Sequence, residues 1–229
     1  MRAVRIVLVS SPGDQAAVHW SHAYAVELGR RLVEARAAVI WMASGRIGEQ
    51  LPGSPAGIEQ RFPPPLPRLP LHRAADDNSD VQMEALLARA LREQPTAAVV
   101  HVGIGARGTP NVAWLAERMG SVPFAVARAA EVVCHRGDLI ERGGAPCSDP
   151  LLPERCRTCC STTWWRTPRS DELQSRADLL VGSLLVADAV FLAQADEAEL
   201  LRRFGGNAQS FVVGLDAASV AARILAALR

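Results

Sequence analysis

The residues best suited to chemistry are five cysteines, all between positions 134 and 160 of a 229-residue chain. Cys156 and Cys159 form a C-x-x-C pair. Cys147 precedes the pair by eight intervening residues, and Cys134 lies a further twelve back. Two thiolates at that spacing bind one tetrahedral ion, and two more from flanking segments close the site. The residues between them are rich in glycine, proline and charge and build no core of their own. A metal would then supply the folding free energy of the segment. On that reading Cys134, Cys147, Cys156 and Cys159 hold a structural Zn2+, with Cys160 or His135 able to replace one of them. Two other readings stay open: reduced, partly buried cysteines, or a disulfide pair. An odd cysteine count suits a disulfide framework poorly. Thioredoxin-type chemistry needs C-x-x-C at the opening of a helix after a strand, and here the pair reads as loop.

The second candidate is Gly103-Ile-Gly105-Ala-Arg-Gly108, a G-x-G-x-x-G pattern with Glu131 lying 23 residues beyond Gly108. Such glycines let a pyrophosphate approach backbone N–H groups at a helix start. Here the pattern sits mid-chain, and Thr109-Pro110 interrupts the turn. It therefore reads first as a tight strand-to-helix turn lining a cleft at the carboxyl ends of strands. Ser11, Gly13 and Asp14, then Gly103, Gly105 and Arg107, then Arg128 and Glu131 would line that cleft. Arg107 and Arg128 suit a phosphate or carboxylate held by bidentate hydrogen bonds, the alternative being surface ion pairs. His101 and Asp14 are the candidates for proton transfer, and a hydrogen-bonded core residue is the other reading of His101. His19 and His22 share a helix face. No Ser–His–Asp order and no nucleophile elbow is present, and the aspartates show no metal-type spacing.

These residues need elements to position them. Residues 3–10, 37–43, 97–103, 189–193 and 210–215 read as strands, and 122–133 begins as one. Residues 15–36, 80–93, 111–119, 170–187, 196–204 and 217–228 read as helices, with Asp80 capping the second and Ser170 or Asp171 the fourth. Strand and helix alternate, so the fold class is α/β: a Rossmann-like, doubly wound, mostly parallel sheet with helices on both faces. Residues 1–229 form one such domain, with a proline-rich loop over 45–70 and a Cys-rich insertion over 134–160. A short strand is expected at 68–73.

Composition excludes several classes. Net charge is +1 and pI about 7.7, so no charge excess points to nucleic acid or an anionic membrane. All 25 basic residues are Arg, which removes any lysine-based mechanism. No apolar run reaches about 18 residues, so no transmembrane segment is expected. The N-terminus lacks a signal-peptide pattern, which gives a cytoplasmic expectation with reduced thiols.

The run Val132-Val-Cys-His-Arg-Gly-Asp-Leu-Ile-Glu-Arg-Gly-Gly-Ala-Pro-Cys147, followed by Pro153-Glu-Arg-Cys156-Arg-Thr-Cys159, resembles a segment common in family-4 glycosyltransferases. There a strand ends in His-Asp, followed by Cys, Arg-Gly, a Gly-Pro-Cys turn and C-x-x-C. The N-terminal strand with Pro12-Gly13, Gly29-Arg-Arg-Leu32, Val99-Val-His101-Val and Phe204-Gly-Gly206 through Asp216 resemble other parts of the family's first domain, in order. The resemblance implies a GT-B fold, whose first lobe binds the acceptor and whose second binds the nucleotide sugar. Aligned on Cys134, Arg128-Ala129 fall where the family has His-Asp, Gly103 replaces the second His of its VHVH strand, and Gly13-Asp14 replaces Gly-Gly. Arginine stays protonated near pH 7 and cannot act as the base.

The implied function is an acceptor-side lobe that works in glycosyl transfer with a donor-binding partner chain, no nucleotide being expected on this chain alone. A non-catalytic scaffold or regulatory subunit beside a modifying enzyme, or a homo-oligomer, is the alternative. A small nucleotide- or NAD(P)-binding enzyme using Gly103, Gly105 and Gly108 is the third reading. Trp164-Trp165 lie either under the cysteine segment or in a partner interface.

Overall fold

A parallel strand covered on both faces must be apolar along its whole length, not at alternate positions. Four segments come near that demand in the computed structural model, with Arg5, Ser10 and His101 as the polar exceptions: β1 (Arg5–Ser10), β2 (Ala38–Ala43), β4 (Ala98–Val102) and β6 (Ala189–Leu192). Three more complete the sheet: β3 (Ile58–Arg61), β5 (Val122–Ala127) and β7 (Phe211–Val213). The structure describes residues 3–10, 20–43, 56–62, 81–104, 109–135, 138–141, 143–150, 152–161, 169–205 and 210–229. The strand order is β3-β2-β1-β4-β5-β6-β7, and each adjacent pair is parallel. The expected doubly wound α/β fold is therefore present.

The two faces sort the strand side chains by parity. Ile6, Leu8, Trp41, Val100, Phe124 and Phe191 face α1 (Trp20–Glu34) and α8 (Ala217–Ala227). Val7, Val9, Ile40, Met42 and Val99 face α2 (Val81–Glu93) and α3 (Val112–Arg118). Farther along that second face, Ala125, Ala127, Val190 and Leu192 pack on α4 (Ala129–Val133), α6 (Ser170–Val186) and α7 (Ala195–Arg203). Arg5, buried at the start of β1, donates to Ala90 O at 3.0 Å, Gln94 O at 2.7 Å and Thr96 Oγ1 at 2.9 Å. A guanidinium thus satisfies carbonyls at the C-terminal end of α2, where the helix dipole favours a cation.

The structure corrects the sequence reading in three places. The proline-rich stretch carries β3 at Ile58–Arg61, while the strand expected at 68–73 lies outside the described residues, as does the Asp80 cap. The C-x-x-C pair is helical, not loop: α5 (Pro153–Cys160) carries Cys156, Cys159 and Cys160, with Pro153 in its first turn, where the missing N–H costs nothing. Finally, α6 is preceded by Arg169, so neither Ser170 nor Asp171 caps it; the Arg169 N–H donates to Glu172 Oε2 at 2.9 Å.

The last helix crosses back. Asp216 caps α8 by accepting the Ser219 N–H at 2.8 Å. Val220 and Ile224 are then buried against α1, as their four-residue spacing predicts. Among the described residues no helix is long and apolar enough to cross a membrane. Truncating Ile224, which is fully buried, should measure what this cover contributes. Ile224→Ala is expected to cost about 2–5 kcal/mol in urea unfolding, and exposed Arg223→Ala less than about 0.5 kcal/mol.

Candidate functional site

In an open parallel sheet the crevice lies outside the carboxyl ends, where the strand order reverses. Here that point lies between β1 and β4. Gly103 follows β4 directly with φ +76°, and its N–H donates to Val126 O at 2.8 Å. A Cβ placed there would lie 2.6 Å from Ser21 Cβ and 4.0 Å from the Trp20 ring. Only glycine accepts both the left-handed backbone and the approach of the first turn of α1.

That approach brings Trp20 over the sheet edge. The indole Nε1 donates to Glu131 Oε1, and the Arg128 guanidinium stands 4.8 Å from the indole centroid. Arg128 lies between the end of β5 and α4, and Glu131 lies on α4. Trp20 also packs edge-on to Tyr24, with centroids 6.3 Å apart. Glu197 fastens α4 from the side: its carboxylate accepts the Ala129 N–H at 3.2 Å, and the Ala193 and Gln194 N–H groups at 2.8 and 3.1 Å.

The electrostatics follow from burial. Desolvation raises the Glu131 pKa above the ordinary carboxylate value, and the like charge of Glu197 adds to it. The Trp20 hydrogen bond and Arg128 oppose the rise without cancelling it. The cluster therefore offers an exposed guanidinium, an aromatic ring and a half-buried carboxyl that keeps its proton to higher pH. Those groups suit an anionic, hydroxyl-bearing ligand: the guanidinium for phosphate or carboxylate, the carboxyl for a hydroxyl.

Three residues expected to line the cleft, Gly103, Arg128 and Glu131, meet here. Ser11, Gly13, Asp14, Gly105 and Arg107 lie outside the described residues, as do His19, Gly108, Trp164 and Trp165. Trp20 was not anticipated; an aromatic in the first turn after a strand-end loop is the signal that marks it. His101 is 1% exposed, and strand alternation turns its ring to the α2–α3 face, away from Trp20. Neither ring nitrogen has a hydrogen-bond partner among the described residues, and burial lowers its pKa to about 4. His22 is core, its ring 5.2 Å from that of Trp41.

The cysteines form a second constellation. Cys134 follows α4, and Cys147 is held by its N–H donating to Leu139 O at 2.7 Å beside an antiparallel bridge between Ile140 and Pro146. Cys134, Cys147, Cys156, Cys159, Cys160 and His135 line a single cavity of about 30 Å³. None of the five cysteines is joined in a disulfide, so the disulfide reading finds no pair. The Cys159 thiol lies 3.8 Å from Ile140 O and the Cys134 thiol 3.9 Å from Asp138 Oδ1. Arg176 on α6, 8% exposed, lies within electrostatic reach of Cys160 and Cys134. The side chains ring the cavity; among the described residues, no three His, Cys, Asp or Glu side chains converge closely enough to hold an ion.

No protein-family model matches the chain, and no curated protein does. Solved structures do. The chain is similar to a sucrose-phosphate synthase chain from Thermosynechococcus elongatus, at 12% identity and TM-score 0.57, over 98% of this chain and 97% of that one. That likeness is one of fold, the Rossmann-like parallel α/β sheet described above. The chain is also similar to the UDP-GlcNAc 2-epimerase of Methanocaldococcus jannaschii, at 8% identity and TM-score 0.50, over 92% of this chain and 45% of that one. UGT2 of Phytolacca americana matches at 13% identity and TM-score 0.46, over 86% of this chain and 47% of that one. The chain spans about half the length of the last two proteins.

Two substitutions probe the site's frame. Gly103→Ala should destabilise by about 1–3 kcal/mol, because it adds a buried contact and a strained φ together. His101 supplies a pH signature. From about pH 6.5 down to about 4 the unfolded chain takes up its proton and the native chain does not. Stability therefore falls on acidification across that window, by about 1.4 kcal/mol per pH unit for this ring. His101→Val should flatten that share of the slope in urea unfolding measured from pH 7 to 4.

Proposed function

We propose that the chain is an acceptor-side lobe of a GT-B-type glycosyltransferase, working beside a donor-binding lobe on a partner chain. The observation that carries this reading is the meeting of Arg128 and Glu131 on Trp20 above Gly103, where the strand order reverses. Arg128 anchors a phosphate or carboxylate of the acceptor. Glu131 holds a hydroxyl, and burial raises its proton affinity above that of an ordinary carboxylate. The likeness of fold to the Thermosynechococcus chain supports the GT-B-type architecture. The motif resemblance over Val132–Cys159 supports family-4 kinship and the acceptor side.

A second reading is a non-catalytic, glycosyltransferase-like scaffold or regulatory subunit. It is favoured by Arg128, which stands where the resembling family has its His-Asp pair and cannot take up a proton near neutral pH. Buried His101 offers no exposed base in its place.

Thermal unfolding separates the readings. Glucose 6-phosphate and glucuronate, as anionic acceptor probes, should raise Tm, with about 2.7 kcal/mol of stabilisation at a hundredfold excess over Kd. Arg128→Ala should remove the shift, and glucose without an anion should give far less. A shift with UDP or NADH that Arg128→Ala leaves intact would favour a nucleotide site instead. No shift with any of these probes would leave the scaffold reading.

A further inference from the structure

The cysteine segment is not held by an apolar core. Of the eight residues of α5 only Cys160 is buried, and residues 143–146, 148 and 149 are exposed. Arg155 pairs with Glu141 and Asp149, each at 2.6 Å, but its side chain is 40% exposed. Ion pairs that open to solvent contribute about 1 kcal/mol or less. Yet three separate pieces of chain, the end of α4, the turn ending at Cys147 and α5, bring all five thiols, none joined in a disulfide, to the lining of one small cavity. Soft thiolates in a closed set select zinc over the hard cations magnesium and calcium. A four-thiolate zinc group carries a net charge of −2, and buried Arg176, on the neighbouring α6 and within electrostatic reach of Cys134 and Cys160, carries the opposite sign.

We propose that Cys134, Cys147, Cys156 and Cys159 bind one Zn2+ ion, with Arg176 as its buried counter-charge and Cys160 packed outside the ligand set. Binding releases four thiol protons to solvent and draws the thiolates inward across the cavity, so that the metal serves the segment as its core. The site is separate from the ligand cluster at the sheet edge and does not rest on the function proposed for it.

The test uses the full chain purified without chelator from zinc-supplied cells. Elemental analysis should find one zinc per chain, and mercurial titration should release it. Exchange into Co2+ should give thiolate-to-cobalt charge-transfer bands and the intense visible bands of a tetrahedral site. Cys134→Ser and Cys156→Ser should lose the metal, and Cys160→Ser should keep it. Arg176→Met should weaken zinc by about 10–100-fold in chelator competition, as loss of an outer-sphere partner does. The wild-type cobalt spectrum stands even where a ligand variant fails to fold. Less than about 0.3 zinc per chain with five freely reactive thiols would overturn the proposal, since a folding metal is bound near stoichiometry. So would iron with sulfide absorption, or an intact mass showing disulfides.

Discussion

The rest of the structure depends on one constraint: a parallel sheet must be covered on both faces, and each return connection must cross over it. With each adjacent pair of strands parallel, the carboxyl ends align on one edge and the connecting loops open there. Residues far apart in the chain then become neighbours without any long-range signal between them. Trp20 and Glu131 are 111 positions apart and share a hydrogen bond. The same constraint explains α8, which returns to the face that α1 alone would leave half covered.

Within the site, competing effects can be ranked. Glu131 has a donor in Trp20 and a cation in Arg128, both of which favour its ionised form. Loss of water outweighs them, and Glu197 pushes the same way. Glu197 is itself committed to three backbone N–H groups, so it cannot swing away to relieve the repulsion without uncapping α4 and α7. The raised proton affinity of Glu131 is thus a product of the frame. Arg128 over the indole gains a cation–π contact of about 0.5–1 kcal/mol at an exposed position. That is small enough for an arriving anion to redirect the guanidinium.

The strands buried on both faces were legible because their apolar runs are continuous, and the helices because theirs are periodic. β3 was not: Ile58-Glu-Gln-Arg61 is a sheet-edge strand with no fully buried residue, and it is held by backbone pairing with β2 and by Ile58 alone packing on the core. α5 was hidden for a related reason. Its sequence, PERCRTCC, has no apolar stripe, and its cysteines read as turn-borne ligands. At the site, Gly103, Arg128 and Glu131 were legible as strand-end residues. Trp20 was not, because only the close approach permitted by Gly103 turns a helix-start aromatic into a wall of the crevice.

The two constellations meet in α4. This helix is five residues long, too short to be stable on its own hydrogen bonds. Its first N–H is held by Glu197, and Ala129, Val132 and Val133 are pressed into the core. At its far end, the Cys134 N–H donates to Ala130 O at 3.0 Å. Glu131 therefore has its orientation set from both directions, by a carboxylate on one side and by whatever fixes Cys134 on the other. An ion at Cys134 would stiffen the carboxyl three residues away without touching it. Without an ion, that end of α4 is held by packing, by the Cys134 backbone hydrogen bond to Ala130 and by the Cys134 contact with Asp138. The cysteine segment and the sheet-edge cluster share no side chain, and the backbone of one short helix is what joins them.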